Sequence, residues 1–297
     1  MSTELQIAGV DNTLLAEMMG VSAQANDNSS QSTLARLNIT HTAVMGDLDH
    51  NGKVSRVEVL PVGTYKLKDD DTFVYCLAPT IRIFAVKEQW THWDSINNAM
   101  DRTEMANNLY GDLKDSKGTF NIGRPSGYLS LKAYEALPQD IKDLMRAVKR
   151  TKILFGTINF NGAALDEAGN EVSGYDGEIP FIMDTKNKGS IAAITAVLKK
   201  IKDDSSIPIE AKLLKRSITL GANIESVPAV YATMTFNEVK EVDLNDKDTE
   251  VFTSFQEWIK WSDTRVLTMW KEKNAPLLSD DELEFVDDFV DVVGSAV

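Results

Sequence analysis

The chain has 297 residues, 43% of them apolar, a formal net charge of −14 and a single cysteine. That length supports a full hydrophobic core in one or two domains, and one cysteine, Cys76, excludes an internal disulfide framework. His41, His50 and His92 lie too far apart for a zinc pattern, and no run approaches the roughly 18 apolar residues of a membrane span. No metal, no cofactor and no membrane are therefore expected, and the reading is cytoplasmic.

Residues 1–34 contain a polar tract, SAQANDNSSQST, with too few apolar side chains to pack, and read as a flexible N-terminal arm. From Ala35 the pattern turns to β. RLNITHTAV, VSRVEVL, GTYKL, TFVYCLA and TIRIFAV are short, β-branched or aromatic, and separated by Gly, Pro or Asp clusters. Their spacing predicts an antiparallel sheet or small barrel. Between the first two, Asp47, Asp49, Asn51, Gly52 and Glu58 fit a calcium-loop template position for position. The flanks read as strands rather than helices, and Asn51-Gly52 is a hairpin signal, so a turn is expected there. After Val86, KEQWTHWDSINNAMDRTEMANNLYGDLK reads as a loop followed by a helix. Trp90 and Trp93 stand three apart, as do Trp258 and Trp261. Such indoles serve as core anchors, or, where exposed, as stacking surfaces for bases.

The most unusual composition lies in residues 114–152, with nine Lys or Arg against four Asp or Glu in an otherwise acidic chain. Gly118, Gly123 and Gly127 bracket Phe120, Arg124 and Tyr128, a loop whose backbone can approach a ligand closely. Residues 138–150 predict a helix with Ile141, Leu144, Met145 and Val148 on one face. Lys142, Arg146, Lys149 and Arg150 fall on the other. A β-branched run after Thr151 ends it in favour of a strand. A solvated helix face beside a turn-rich loop accounts for the same pattern without any ligand. Further on, ILFGTINFNG and GEIPFIM predict a hairpin with a long polar loop. GSIAAITAVLKKIKDD predicts an amphipathic helix, with Ile191, Ile194, Leu198 and Ile201 inward and Lys199, Lys200 and Lys202 outward. It belongs to a second basic region, residues 186–216, with eight Lys or Arg against three acids. Two strands follow, and Asn245 reads as the N-cap of a helix reaching about Lys273.

Residues 276–297 form an acidic C-terminal tail with seven acids and no base, in which apolar residues recur at helical spacing. Asp280, Asp281, Phe285, Asp287, Asp288 and Phe289 are its candidate partner-binding residues. A last helix docked on the body is the other reading of the same pattern. Nowhere does the chain carry a phosphate-binding glycine loop, a zinc-protease helix or a nucleophile elbow, so no catalytic residues are assigned and no enzyme is expected.

DSKGTFNIGRPSGYL followed by VKRTKILFGTINF, a β-rich body and an end of mixed acids and aromatics resembles the single-stranded DNA-binding proteins of tailed bacteriophages. The likeness runs from about Ala35 to Val293, and the chain departs from it in its neutral end, residues 294–297. The resemblance implies an oligonucleotide-binding-type barrel or related sheet with inserted helices, a basic and aromatic groove for DNA, and a tail that recruits replication or recombination proteins. The fold class expected is α+β: a β-rich body over residues 35–275 between the arm and the tail. Lys117, Phe120, Arg124, Tyr128, Arg146, Lys149, Arg150 and Lys152 are the candidate nucleic-acid-binding residues. The partners expected are single-stranded DNA and, through the tail, replication or recombination proteins, with self-association left open. A virion or other structural protein without nucleic-acid binding is the alternative.

Overall fold

The computed structural model describes residues 34–50, 53–127, 129–203, 212–226 and 229–275. The expected arm, except its last residue, the expected tail with all six of its candidate residues, Asn51-Gly52 and Tyr128 lie outside them. The described residues form an α+β protein. Its strands are β1 (Ala35–Ile39), β2 (Val44–His50), β3 (Lys53–Leu60), β4 (Tyr65–Asp69), β5 (Thr72–Cys76), β6 (Thr80–Asp94), β7 (Ala99–Arg102), β8 (Lys149–Asn159), β9 (Ile179–Thr185), β10 (Arg216–Glu225) and β11 (Tyr231–Glu241). Its helices are α1 (Leu131–Glu135), α2 (Gln139–Ala147), α3 (Lys188–Asp203) and α4 (Asp248–Asn274). None of them is long and apolar enough to cross a membrane.

One large sheet runs in the order β11-β10-β6-β8-β9-β1-β4-β5, with β7 paired to β6. The burial of each strand follows from its place. Edge-ward β4 alternates, with Tyr65 and Leu67 buried and Lys68 exposed, whereas central β8 is buried without interruption from Thr151 to Ile158. Gly156 is required there, because a Cβ would lie 2.2 Å from the Arg82 carbonyl oxygen. The expected hairpin strands β8 and β9 are hydrogen-bonded neighbours. The pair β1–β9 is parallel, so the sheet is mixed rather than antiparallel throughout.

The described residues divide into two compact units, one within residues 34–85 and 154–248, the other within 86–153 and 249–275. The division falls within β6 and within β8. In the first unit the sheet curls: the Tyr65 hydroxyl, fully buried, donates to the Gly221 carbonyl at 2.7 Å, and the Ala232 N–H donates to His41 Nδ1 at 3.2 Å. The strand path nevertheless ends on β11 and β5, so the described residues make an open, curled sheet and not a closed barrel. Helix α3 packs on β11. Ile194, Val197 and Ile201 are buried, Ile191 and Leu198 half-buried, and Lys199, Lys200 and Lys202 exposed, as the pattern requires. Asn187 Oδ1 caps it by accepting the Ser190 N–H at 3.0 Å. Strands β2 and β3 form a separate two-stranded sheet with His50 opposite Lys53, which makes the calcium-like stretch part of a hairpin.

Two further expectations are corrected. The helix predicted after Val86 is absent: β6 continues to Asp94, turns where Asp94 Oδ1 accepts the Ile96 and Asn97 N–H groups, and returns as β7. The three-residue spacing of Trp90 and Trp93 suggested a helical face, but cross-strand pairing overrides it: Trp90 is half-buried and Trp93 exposed. Helix α4 begins at Asp248, three residues after Asn245. Asp248 Oδ2 accepts the Asn245 N–H at 2.9 Å, and Asn245 Oδ1 accepts that of Lys247 at 3.0 Å.

Candidate nucleic-acid interface

The basic, glycine-rich stretch lies wholly in the second unit, and one carboxylate organises its loop. Asp115, fully buried, accepts four hydrogen bonds: from the N–H groups of Lys117 (2.8 Å), Thr119 (3.0 Å) and Ile122 (2.6 Å), and from the Thr119 hydroxyl (2.7 Å). Asn121, also fully buried, braces the same loop. Its Oδ1 accepts from the Leu113 N–H and its Nδ2 donates to the Gly111 carbonyl, both at 3.2 Å.

These bonds hold a left-handed turn, with φ of 54° at Asn121, 60° at Ile122 and 76° at Gly123. Glycine takes that conformation freely and asparagine tolerates it, but for a β-branched residue such as Ile122 it costs roughly 1–3 kcal/mol. Burial of the isoleucine side chain and the short bond to Asp115 oppose that cost. The end of α4 ties down the other side. Lys273 Nζ donates to the Ser116 carbonyl at 2.7 Å and Asn274 Nδ2 to that of Gly118 at 2.8 Å. The Phe120 and Trp270 rings lie 5.8 Å apart, and the Lys114 ammonium sits 4.8 Å from the Trp270 ring centre.

The candidate residues fall into small groups around this loop. Phe120 stands at its start, half exposed. Arg124, directly after the turn, stacks on Trp90 with its guanidinium carbon 4.2 Å from the ring centre, and Nη1 donates to the Met145 carbonyl near the end of α2 at 3.2 Å. Arg150 and Lys152 share Glu88 on β6, the lysine at 3.1 Å, and Lys152 is buried. Arg146 pairs with Asp143 one helical turn away at 3.1 Å. Lys149 donates to the Arg146 carbonyl, and Lys117 approaches Asp101 at 3.8 Å. Four of the six candidate cations thus share three carboxylates, while Arg124 and Lys149 bond to backbone carbonyls. Among the described residues of this unit the exposed aromatic side chains are Trp93 (53% exposed), Tyr110 (73%), Phe120 (45%) and Trp261 (42%), enough ring surface to receive bases.

Sequence reading passed over Glu88, Lys114, Asp115 and Trp270, which reach the site from three different segments. It also passed over a polar pair in which Lys87 is buried and Asp263 half-buried. Lys87 on β6 donates to Asn107 Oδ1 at 2.9 Å, and Asp263 on α4 accepts the Met105 N–H at 2.8 Å. Burial pushes the Asp263 carboxyl up to about 7; Glu104 adds to the rise, while the Met105 N–H and Lys87 oppose it. Burial lowers the Lys87 ammonium, with Asp263 opposing.

The native state therefore holds a proton on Asp263 at pH values where the unfolded chain has released it. This contribution to stability is full below pH ~4 and is lost as pH rises towards 7. Asp263→Asn keeps the acceptor for Met105 and removes the titration. Urea denaturation at pH 5 and pH 8 should show a smaller loss of stability between the two for Asp263→Asn than for the wild type. Parallel losses in the two proteins would refute this role.

Among the described residues no group of three His, Cys, Asp or Glu side chains is placed to hold a metal ion. No protein-family model, curated protein or solved structure matches the chain.

Proposed function

We propose that this chain is a single-stranded DNA-binding protein of bacteriophage replication or recombination, on the strength of its resemblance and of the basic, aromatic surface of the second unit. The observation that carries the reading is the gathering, within one unit of an acidic protein, of six cations answered by only three carboxylates, together with four exposed aromatic rings among the described residues of that unit. Lysine and arginine neutralise phosphates and release counterions, while the rings stack on bases without regard to sequence. The curled, open sheet of the first unit supports the relation to oligonucleotide-binding-type folds that the resemblance implies. The acidic tail is proposed to recruit replication or recombination enzymes, through Asp280, Asp281, Phe285, Asp287, Asp288 and Phe289.

Labelled oligo-dT should bind with log affinity falling linearly against log salt. Lys149→Ala with Arg150→Ala should lower that slope by roughly one to two. Lys152 remains to pair with Glu88 in that variant, so the buried carboxylate keeps a partner. A second reading, a virion structural protein, draws on the separate β2–β3 hairpin with its exposed Met45 and Val54. Absence of any oligo-dT binding at low salt would favour it.

A further inference from the structure

The cations of the candidate interface differ in what already neutralises them. Lys117, Arg146, Arg150 and Lys152 each stand against a carboxylate. Arg124 stands against none among the described residues. Nη1 is spent on the Met145 carbonyl, one face lies on Trp90, and Nε is buried without a partner. Nη2 has no partner in the described protein and is not among the buried atoms, so this terminal edge of the guanidinium stays open to a ligand. Burial pulls the group below the ordinary arginine range, so the surroundings oppose a charge that no anion among the described residues balances.

Its position is also fixed with unusual firmness. Phe120 and Arg124 stand at the two ends of the left-handed turn Asn121–Gly123, which four hydrogen bonds to Asp115 and the buried Ile122 side chain hold in place. Strained backbone persists where its surroundings over-determine it, and here what it sets is the separation of a half-exposed ring from an unbalanced guanidinium.

We propose that Arg124, stacked on Trp90, is a receiving site for a phosphodiester oxyanion of single-stranded nucleic acid, with Phe120 taking a base of the same strand. This rests on the single-stranded DNA reading above and narrows it to one phosphate and one base. Guanidinium suits the task because its planar edge offers donors to phosphate oxygens in a fixed geometry that an ammonium lacks. The indole beneath holds that plane in place and leaves the far edge for the ligand.

The test titrates the full-length wild type, Arg124→Met, Arg124→Lys and Lys142→Ala with labelled oligo-dT at two salt concentrations. Inorganic tripolyphosphate, with tryptophan emission as the signal, serves as a second probe. Arg124→Met should weaken oligo-dT binding by about tenfold or more, Arg124→Lys should restore only part of it, and Lys142→Ala should shift it less than about twofold. Tripolyphosphate should change the emission saturably in the wild type and not in Arg124→Met. Melting curves check that each variant is folded, and Arg124→Lys carries the comparison if the methionine variant is not.

Equal oligo-dT affinity and equal salt slope in wild type and Arg124→Met would overturn the proposal and leave the DNA reading standing. Failure of the wild type to bind oligo-dT would overturn both. A saturable tripolyphosphate response lost in Arg124→Met would then assign the pair to a different oxyanion.

Discussion

Replacing Arg82 by methionine is expected to cost about 3–5 kcal/mol of stability, the range for breaking a buried ion pair by removing one member. Arg82 lies on β6 in the first unit with its side chain almost wholly buried. Nη1 and Nη2 donate to the two oxygens of Asp248 at 2.9 and 2.8 Å, and Nη1 also donates to Glu178 at 2.9 Å. Burial opposes its charge, but hydrogen bonds and attraction from Asp248 and Glu178 more than offset this, so the guanidinium sits above the ordinary arginine range.

Without the arginine, Asp248 is a carboxylate with 2% of its side chain exposed and no cation beside it. The loss comes from that orphaned charge more than from the missing bond. Combining Arg82→Met with Asp248→Asn removes the charge and should recover part of the deficit, a coupling readable from urea denaturation of the two single variants and the double. A loss below about 1 kcal/mol in Arg82→Met would show that the pair carries little of the first unit's stability.

Deleting residues 277–297 should tighten oligo-dT binding, by on the order of tenfold at low salt and much less at high salt, where screening suppresses the effect. The deletion removes seven carboxylates and takes the formal charge from −14 to −7. The chain enters this segment beside the candidate interface, because Asn274 is bonded to Gly118 and Trp270 lies against Phe120. An acidic peptide tethered there raises the local concentration of competing negative charge. If the segment is instead a structural last helix, the truncated protein will keep its affinity and melt several degrees lower. Measuring both properties on one preparation decides between them.

Much of the strand framework was legible because half-buried strands print alternation into the sequence, as in β1 and β4. Helix α3 and most of α2 were legible because their apolar residues recur at helical spacing, but α2 stops at Ala147, and Lys149 and Arg150, expected on its polar face, open β8 instead. What escaped depends on partners distant in sequence. Nothing near Trp90 says that β6 continues to Asp94, since the reason is its pairing with β7. The parallel β1–β9 pair joins segments separated by most of the first unit.

The candidate interface follows the same division. A local count of basic residues found the right stretch, and the glycines marked the right loop. Whether each cation is free to meet a phosphate was not legible, because Lys152 and Arg150 are answered by Glu88, more than sixty residues earlier. The left-handed turn had only a weak signal, an asparagine and a glycine flanking an isoleucine that by itself argues against such a backbone.

The interleaving of the two units sets the order of events on the ribosome. Arg82 and Asp248 are 166 residues apart. At about 5–20 residues per second, the guanidinium waits roughly ten to thirty seconds for its carboxylate to be synthesised. Strand β6 waits nearly as long for β10. Neither unit is one continuous segment: the first closes only with Asp248, after the middle of the second has been made, and the second needs the helix that follows. Nascent chains of this protein therefore carry a central strand with one edge open until β10 is made, a circumstance in which chaperone capture is valuable.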